Sequence, residues 1–89
     1  MPTSIWVAEL WISDKVAGKI DHKHKLKRHD VNDAVLCEPN LQFKWGRHPE
    51  TDELRALVQT TIRNKRCIVV LYPVDDRPDT WCLGSAYFI

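Results

Sequence analysis

The spacing of the hydrophobic residues changes once along this chain of 89 residues, and the change constrains the fold more than any other feature. Between residues 14 and 37 apolar side chains recur every three or four positions, as they do along one face of a helix. From residue 41 onward they alternate with polar residues or form short apolar runs, which is typical of strands. Helices followed by consecutive strands predict an α+β domain of two layers.

The first half predicts one strand and two helices. Branched and aromatic residues favour a strand over residues 5–12. Ser13 is a good N-cap for a helix over residues 14–24, because its hydroxyl can accept a backbone N–H of the first turn. Asp30 is the predicted N-cap of a second helix over residues 31–37.

The second half predicts four strands joined by short connections. A tight turn at Asn64-Lys65 would join two of them, and Gly84 suggests a bulge or a close approach inside the last one. Short connections favour antiparallel pairing, with both N-terminal helices on one face of the sheet. The predicted order is β-α-α-β-β-β-β within a single domain, 1–89. The four strands are expected over residues 41–45, 54–63, 67–72 and 81–88.

Several classes of protein are excluded at this stage. No apolar run approaches the roughly 20 residues that span a bilayer, and the N-terminus lacks the basic region of a signal peptide. Three Cys without a CxxC spacing make a disulfide framework unexpected, so we expect a cytoplasmic protein with its Cys in the core. No Gly-rich phosphate loop or zinc spacing is present, so neither a cofactor nor a metal is expected.

The charge is distributed unevenly although the net charge is only +1. Residues 15–29 carry six Lys or Arg against Asp21, a net +5, whereas residues 30–62 carry a net −3. A cationic segment of this kind suits a polyanion such as RNA, or an acidic surface on a partner protein. The alternative is an ordinary solvated helix face.

Two constellations could carry chemistry. His24 continues the apolar stripe of the first helix towards the sheet, where it could act as general acid or base, or simply cap the helix C-terminus. Arg55 and Arg63 have the same parity in one strand and would emerge on one face, either to clamp a phosphate or to form cross-strand ion pairs.

Four short motifs together resemble the BrnT-type toxins of the RelE/ParE-like superfamily. They are Lys23-His24, Asp33-Ala34-Val35, Glu53-Leu54-Arg55 and Ser85-Ala86. The resemblance implies a RelE-like fold and a bacterial toxin–antitoxin toxin. Such a toxin would be a metal-independent endoribonuclease that cleaves mRNA through attack by a ribose 2′-OH, and a cognate antitoxin would neutralise it.

The resemblance also implies roles for particular residues. His24 would act as acid or base, Lys23 and Arg55 would hold the reacting phosphate, and Glu53 would be a second candidate base. The residues expected to bind RNA are Lys25, Lys27, Arg28 and Arg63.

A competing hypothesis is a non-enzymatic protein-binding module on the same fold, for instance a phage or mobile-element protein that inhibits a host protein. The small number of acid or base candidates favours it. So do the four Trp, of which one or two could face outward as interface anchors. We also expect the last strand to leave a sheet edge open to a partner or to a second copy in a dimer.

Overall fold

A computed structural model describes residues 4–89 and shows the predicted order of elements. Two helices precede four long strands, and the five strands form one sheet in the order β1-β5-β4-β3-β2. The elements are β1 Glu9–Trp11, α1 Asp14–His24, α2 Arg28–Val35, β2 Gln42–Arg47, β3 Leu54–Ile62, β4 Lys65–Pro73 and β5 Thr80–Phe88.

The sheet is mixed, so the prediction of an antiparallel sheet is wrong at one pair. Strands β2 to β5 pair antiparallel, but β1 lies parallel to β5. Short connections impose antiparallel pairing on β2 to β5, whereas most of the chain separates β1 from β5 and leaves its direction free. Only Glu9–Trp11 of the predicted first strand pair with another strand. Before them, the Val7 carbonyl accepts a hydrogen bond from the Cys37 N–H, and the Ala8 N–H donates to the Asp79 carbonyl.

The expectation that β5 leaves an open edge stays a prediction, because this inner strand pairs with β1 only over its first three residues, Thr80–Cys82. It lies between β4 and β1, and beyond β1 the Lys19 ammonium of α1 donates to the Gly84 carbonyl at 3.0 Å. The two outer strands of the sheet are β1 and β2.

Helix α1 has the predicted bounds, and helix α2 starts three residues earlier than predicted. The Ser13 hydroxyl accepts the Val16 N–H at 3.2 Å, as expected of an N-cap. Asp30 is the third residue of α2 instead of its N-cap, and its carboxylate accepts the Lys27 N–H at 2.9 Å. Asp30 thus stabilises the helix start from inside the first turn.

The β3–β4 hairpin turns one residue earlier than predicted. Ile62 pairs with Lys65, so the two turn residues are Arg63 and Asn64, with φ of 53° and 64°. Positive φ at both central residues is the geometry of a type I′ turn, whose twist matches that of the flanking strands. Arg63 therefore lies in the turn and not on the sheet face of Arg55, which corrects the shared-face prediction.

Gly84 satisfies both interpretations that its position suggested. Val70 pairs with Ser85 and Leu71 with Leu83, so Gly84 is the extra residue of a bulge. The Tyr72 ring also lies over Gly84, so closely that a Cβ added there would be 2.3 Å from Tyr72 Cε2. The glycine is required because no side chain fits beneath this ring.

The core lies between the two helices and one face of the sheet. Ile20, Leu26, Val31 and Val35 from the helical half pack with alternate residues of β3, β4 and β5, such as Val58. Both helices cover the same face, as predicted. Of the three Cys only Cys67 lies in the core, whereas Cys82 is half-buried outside the core cluster and Cys37 is exposed after α2, so the core prediction fails for Cys82 and Cys37.

No helix within residues 4–89 is long and apolar enough to cross a membrane.

Candidate functional site

Glu53, a predicted catalytic residue, and Arg63, predicted to bind RNA, lie at opposite ends of the long strand β3. Glu53 immediately precedes this nine-residue strand and Arg63 immediately follows it. At about 3.3 Å per residue, their backbones are roughly 30 Å apart, and Arg55 is roughly 26 Å from Arg63. General acid–base catalysis needs its groups within hydrogen-bond reach of one substrate, and the fold does not bring Glu53 and Arg63 into that range.

His24 is likewise separated from Arg55. Its half-buried ring lies 6.1 Å from the Tyr87 ring on β5, and Tyr87 pairs with Ile68. Extending the β3–β4 register by one residue beyond Ala56 and Leu71 places Arg55 opposite Tyr72, four residues along β4 from Ile68. About 13 Å along the strands and two strand spacings, from β5 to β3, therefore separate the two candidates.

Four of the predicted residues do converge with two cations that the sequence did not single out. The Arg63 guanidinium donates to the Lys25 carbonyl at 2.8 Å, which holds the β3–β4 turn against the end of α1. Exposed Lys65 and Arg66 follow that turn directly. In the sequence, Lys65 and Arg66 could be recognised only as two cations beside a predicted hairpin turn. The fold shows that this turn lies next to α1. We call this cluster the basic end; it comprises Lys23, His24, Lys25, Arg63, Lys65 and Arg66.

Three of the cations predicted to bind RNA are held by carboxylates of the protein. Lys27 forms an ion pair with Asp21 at 2.7 Å, Arg28 pairs with Asp14, and Arg63 pairs with Asp30. These pairs reduce the positive charge that residues 15–29 present to a partner. The cations of the basic end without a carboxylate among the described residues are Lys23, Lys25, Lys65 and Arg66.

The carboxylates in these pairs are electrostatically stabilised. The Lys27 ammonium, which hydrogen-bonds to Asp21, lowers the pKa of that carboxyl. The pKa of Asp30 is also lowered, chiefly because its carboxylate accepts the Lys27 N–H and secondly because the Arg63 charge is adjacent. Asp30 thus links the start of α2 to the β3–β4 turn.

A second surface is the face of the sheet opposite the helices, which we call the open face. One row of residues runs across all five strands there: Trp11, Cys82, Tyr72, Arg55 and Gly46. The next positions along β3 and β4 are Leu57, Val70 and Ile68. None of these side chains belongs to the core cluster between helices and sheet.

The open face is divided by polarity. Its β1, β5 and β4 side is aromatic and aliphatic, whereas the β3 and β2 side carries Arg55, Gln59 and Lys44. Two large apolar side chains at open-face positions are exposed: Trp11 is 41% and Tyr87 37% exposed. The half-buried Arg55 has its Nε without a hydrogen-bond partner among the described residues. An apolar area beside such an arginine has the composition of an interface.

No family model, curated protein or solved structure matches this chain. Within residues 4–89 there is also no group of three or more His, Cys, Asp or Glu side chains placed to hold a metal ion. The function therefore has to be argued from the two surfaces themselves.

Proposed function

We propose that this protein is a non-enzymatic protein-binding module that uses the open face of its sheet. The observation that carries the proposal is the placement of the exposed apolar residues. Of the four large hydrophobic side chains exposed among residues 4–89, Trp11 and Tyr87 occupy open-face positions in the register of their strands, and the Tyr87 ring borders His24 at the end of α1. Where one face of a sheet is exposed to water, the residues on that face are normally polar.

Arg55 supports a protein as the occupant. Buried polar groups are nearly always hydrogen-bonded. The buried Arg55 Nε, however, has no hydrogen-bond partner among the described residues. A carboxylate from a partner would give this guanidinium a charge-assisted bond at the edge of the apolar area. Aromatic side chains bordered by an arginine are also the residues that contribute most binding energy at protein interfaces.

The test is site-specific crosslinking from two faces of the molecule. A photoreactive residue at the exposed Gln59 of β3 would report the open face, and one at the exposed Asp33 of α2 would report the opposite side. In nuclease-treated lysate we expect a single stoichiometric protein adduct from position 59 and none from position 33.

The adduct should depend on the open-face residues. Trp11→Ser should reduce it at least tenfold, as expected for the loss of about 1.4 kcal/mol or more of binding energy at an interface anchor. Lys15→Ser, an exposed change on α1, is the matched control. Equal labelling from both positions, or an adduct insensitive to Trp11→Ser, would contradict the proposal; an adduct with the chain itself would replace it with a homodimer.

A second candidate function is RNA cleavage at the basic end, and the convergence of Lys23, His24 and Lys25 with Arg66 favours it. This candidate follows the resemblance to the BrnT-type toxins and would bring a cognate antitoxin as partner. In it His24 would exchange the protons while the cations neutralise the phosphate. Since Arg55 is distant, cleavage of metal-free RNA should fall in His24→Ala but persist in Arg55→Ala. His22→Ala on the same helix is the control, and intact RNA with the wild-type protein would refute this candidate.

A further inference from the structure

A cleft of about 620 Å³ lies between the N-terminal segment, the α2–β2 connection and the ends of β4 and β5. Three of the four tryptophans line it: Trp6, Trp45 and Trp81. Trp81 is fixed, because its indole N–H donates to the Trp6 carbonyl at 3.1 Å and its ring lies 6.1 Å from that of Trp45. Trp6 is 40% exposed and presents its ring to solvent. We call this site the Trp cleft.

The charges around the Trp cleft are acidic. Asp79 is one of the nine residues that line it within residues 4–89, and no Lys, Arg or His is among these nine. The loop that contains Asp79 also carries Asp75, Asp76 and Arg77, and it lines an adjoining cavity that shares Pro73, Asp79 and Trp81 with the cleft. Aromatic ring faces carry partial negative charge, so exposed indoles beside carboxylates attract an organic cation.

The one cation of this loop is already engaged elsewhere. The Arg77 guanidinium lies 5.3 Å from the centre of the Trp11 ring, outside the Trp cleft. Among the described residues, the lining of the cleft therefore has no basic side chain, and Arg77 shows that a guanidinium can lie over an indole of this molecule. A planar, weakly hydrated guanidinium stacks on such faces better than an ammonium does.

We propose that the Trp cleft binds an arginine side chain carried on an extended segment of a partner protein. Its volume exceeds that of one guanidinium group and is in the range of clefts that enclose ligands of several residues. The guanidinium stacks on Trp6 and pairs with Asp79, while the flanking peptide lies on the prolines of the rim, Pro39 and Pro73. This site lies apart from the open face and does not depend on the function proposed for it.

The probe is the peptide acetyl-Gly-Arg-Gly-Arg-Gly-amide, and its control is the same peptide with citrulline, which keeps the shape of arginine without its charge. The readout is the set of indole N–H resonances of the full chain. We expect the signals of Trp6 and Trp45 to shift while that of Trp11 stays, and the citrulline peptide to bind about tenfold more weakly.

Two variants make the assignment specific. Trp6→Leu removes the exposed ring, and Asp79→Asn removes the charge while keeping a residue that tolerates the φ of 63° at this position. Both should weaken binding severalfold, and Asp33→Asn on α2 should leave it unchanged. The Trp81 indole signal reports whether the Trp6 variant keeps its fold. Equal binding of the two peptides, no shift at millimolar peptide, or the same loss in Asp33→Asn would overturn the proposal.

Discussion

The three glycines of this chain offer one substitution in three surroundings, and we expect glycine-to-alanine to have a different sign at each. None of the three has a positive φ, so alanine fits the backbone everywhere and only the available space differs. At Gly84 the new Cβ would be 2.3 Å from Tyr72 Cε2 and 2.9 Å from Cδ2, whereas ordinary contacts begin near 3.4 Å. The Tyr72 ring must therefore move off the bulge.

The expected cost of Gly84→Ala is that of overpacking, about 1–3 kcal/mol of unfolding free energy. In a domain of this size each kcal/mol corresponds to a change of roughly 4–8 °C in Tm. At Gly46 the Cβ would meet Leu57 Cδ1 at 3.7 Å, an ordinary contact, so the change should stay within about 0.5 kcal/mol. At Gly18 no heavy atom lies within 4 Å, and alanine in this helix should stabilise by about 0.5–1 kcal/mol.

Urea unfolding of the three variants measures these differences, and a double-mutant cycle tests their cause. If the Tyr72 ring is what Gly84→Ala displaces, the cost of that change should disappear in a Tyr72→Ala background. A Gly84→Ala protein as stable as the wild type would refute the reasoning. So would a cost that is the same with and without the ring.

Three further predictions concern the caps, the ion pairs and the thiols. Ser13→Ala should lower the unfolding free energy by about 1 kcal/mol in urea, because the Val16 N–H loses its acceptor. The lowered pKa of Asp30 means that its ionised form stabilises the fold above the ordinary aspartate pKa of about 3.9, and that this contribution is lost as the pH falls below it. Asp30→Asn should therefore be less stable than the wild type at pH 7, and the difference should shrink as the pH falls below about 3.9, measured by thermal melts. Burial raises the pKa of the Cys67 thiol, so mass spectrometry of alkylated protein should show exposed Cys37 modified first and Cys67 only on unfolding.

Local interactions explain which parts of the fold were predictable. Helix α1 has the predicted bounds because its cap and apolar stripe lie within one segment, and β3 starts where its alternation starts. The start of α2 differs from the prediction because an aspartate can stabilise a helix start either as the N-cap or as the third residue of the helix. The contact of Asp30 with Arg63 favours the third position. The direction of β1 depended on a strand some 70 residues away, about which its own residues carry no information.

The candidate sites show the same division more strongly. Charge and residue type singled out His24, Arg55 and the cations of residues 15–29 without any measure of the distances between them. The length of β3 then separated Arg55 from Arg63, and neighbouring carboxylates paired with Lys27 and Arg28. The RelE-like assignment and the ribonuclease hypothesis remain predictions.

The sequence by itself determined the class of fold and the order of its elements, because periodicity and capping are properties of neighbouring residues. Only the tertiary structure decided which surfaces exist. Trp11 and Tyr87 are far apart in the chain, yet sheet pairing places both on the open face. Trp6, Trp45 and Trp81 likewise meet in one cleft through contacts between distant segments. Long-range pairing determines such neighbours, and the local spacing of residues does not encode it.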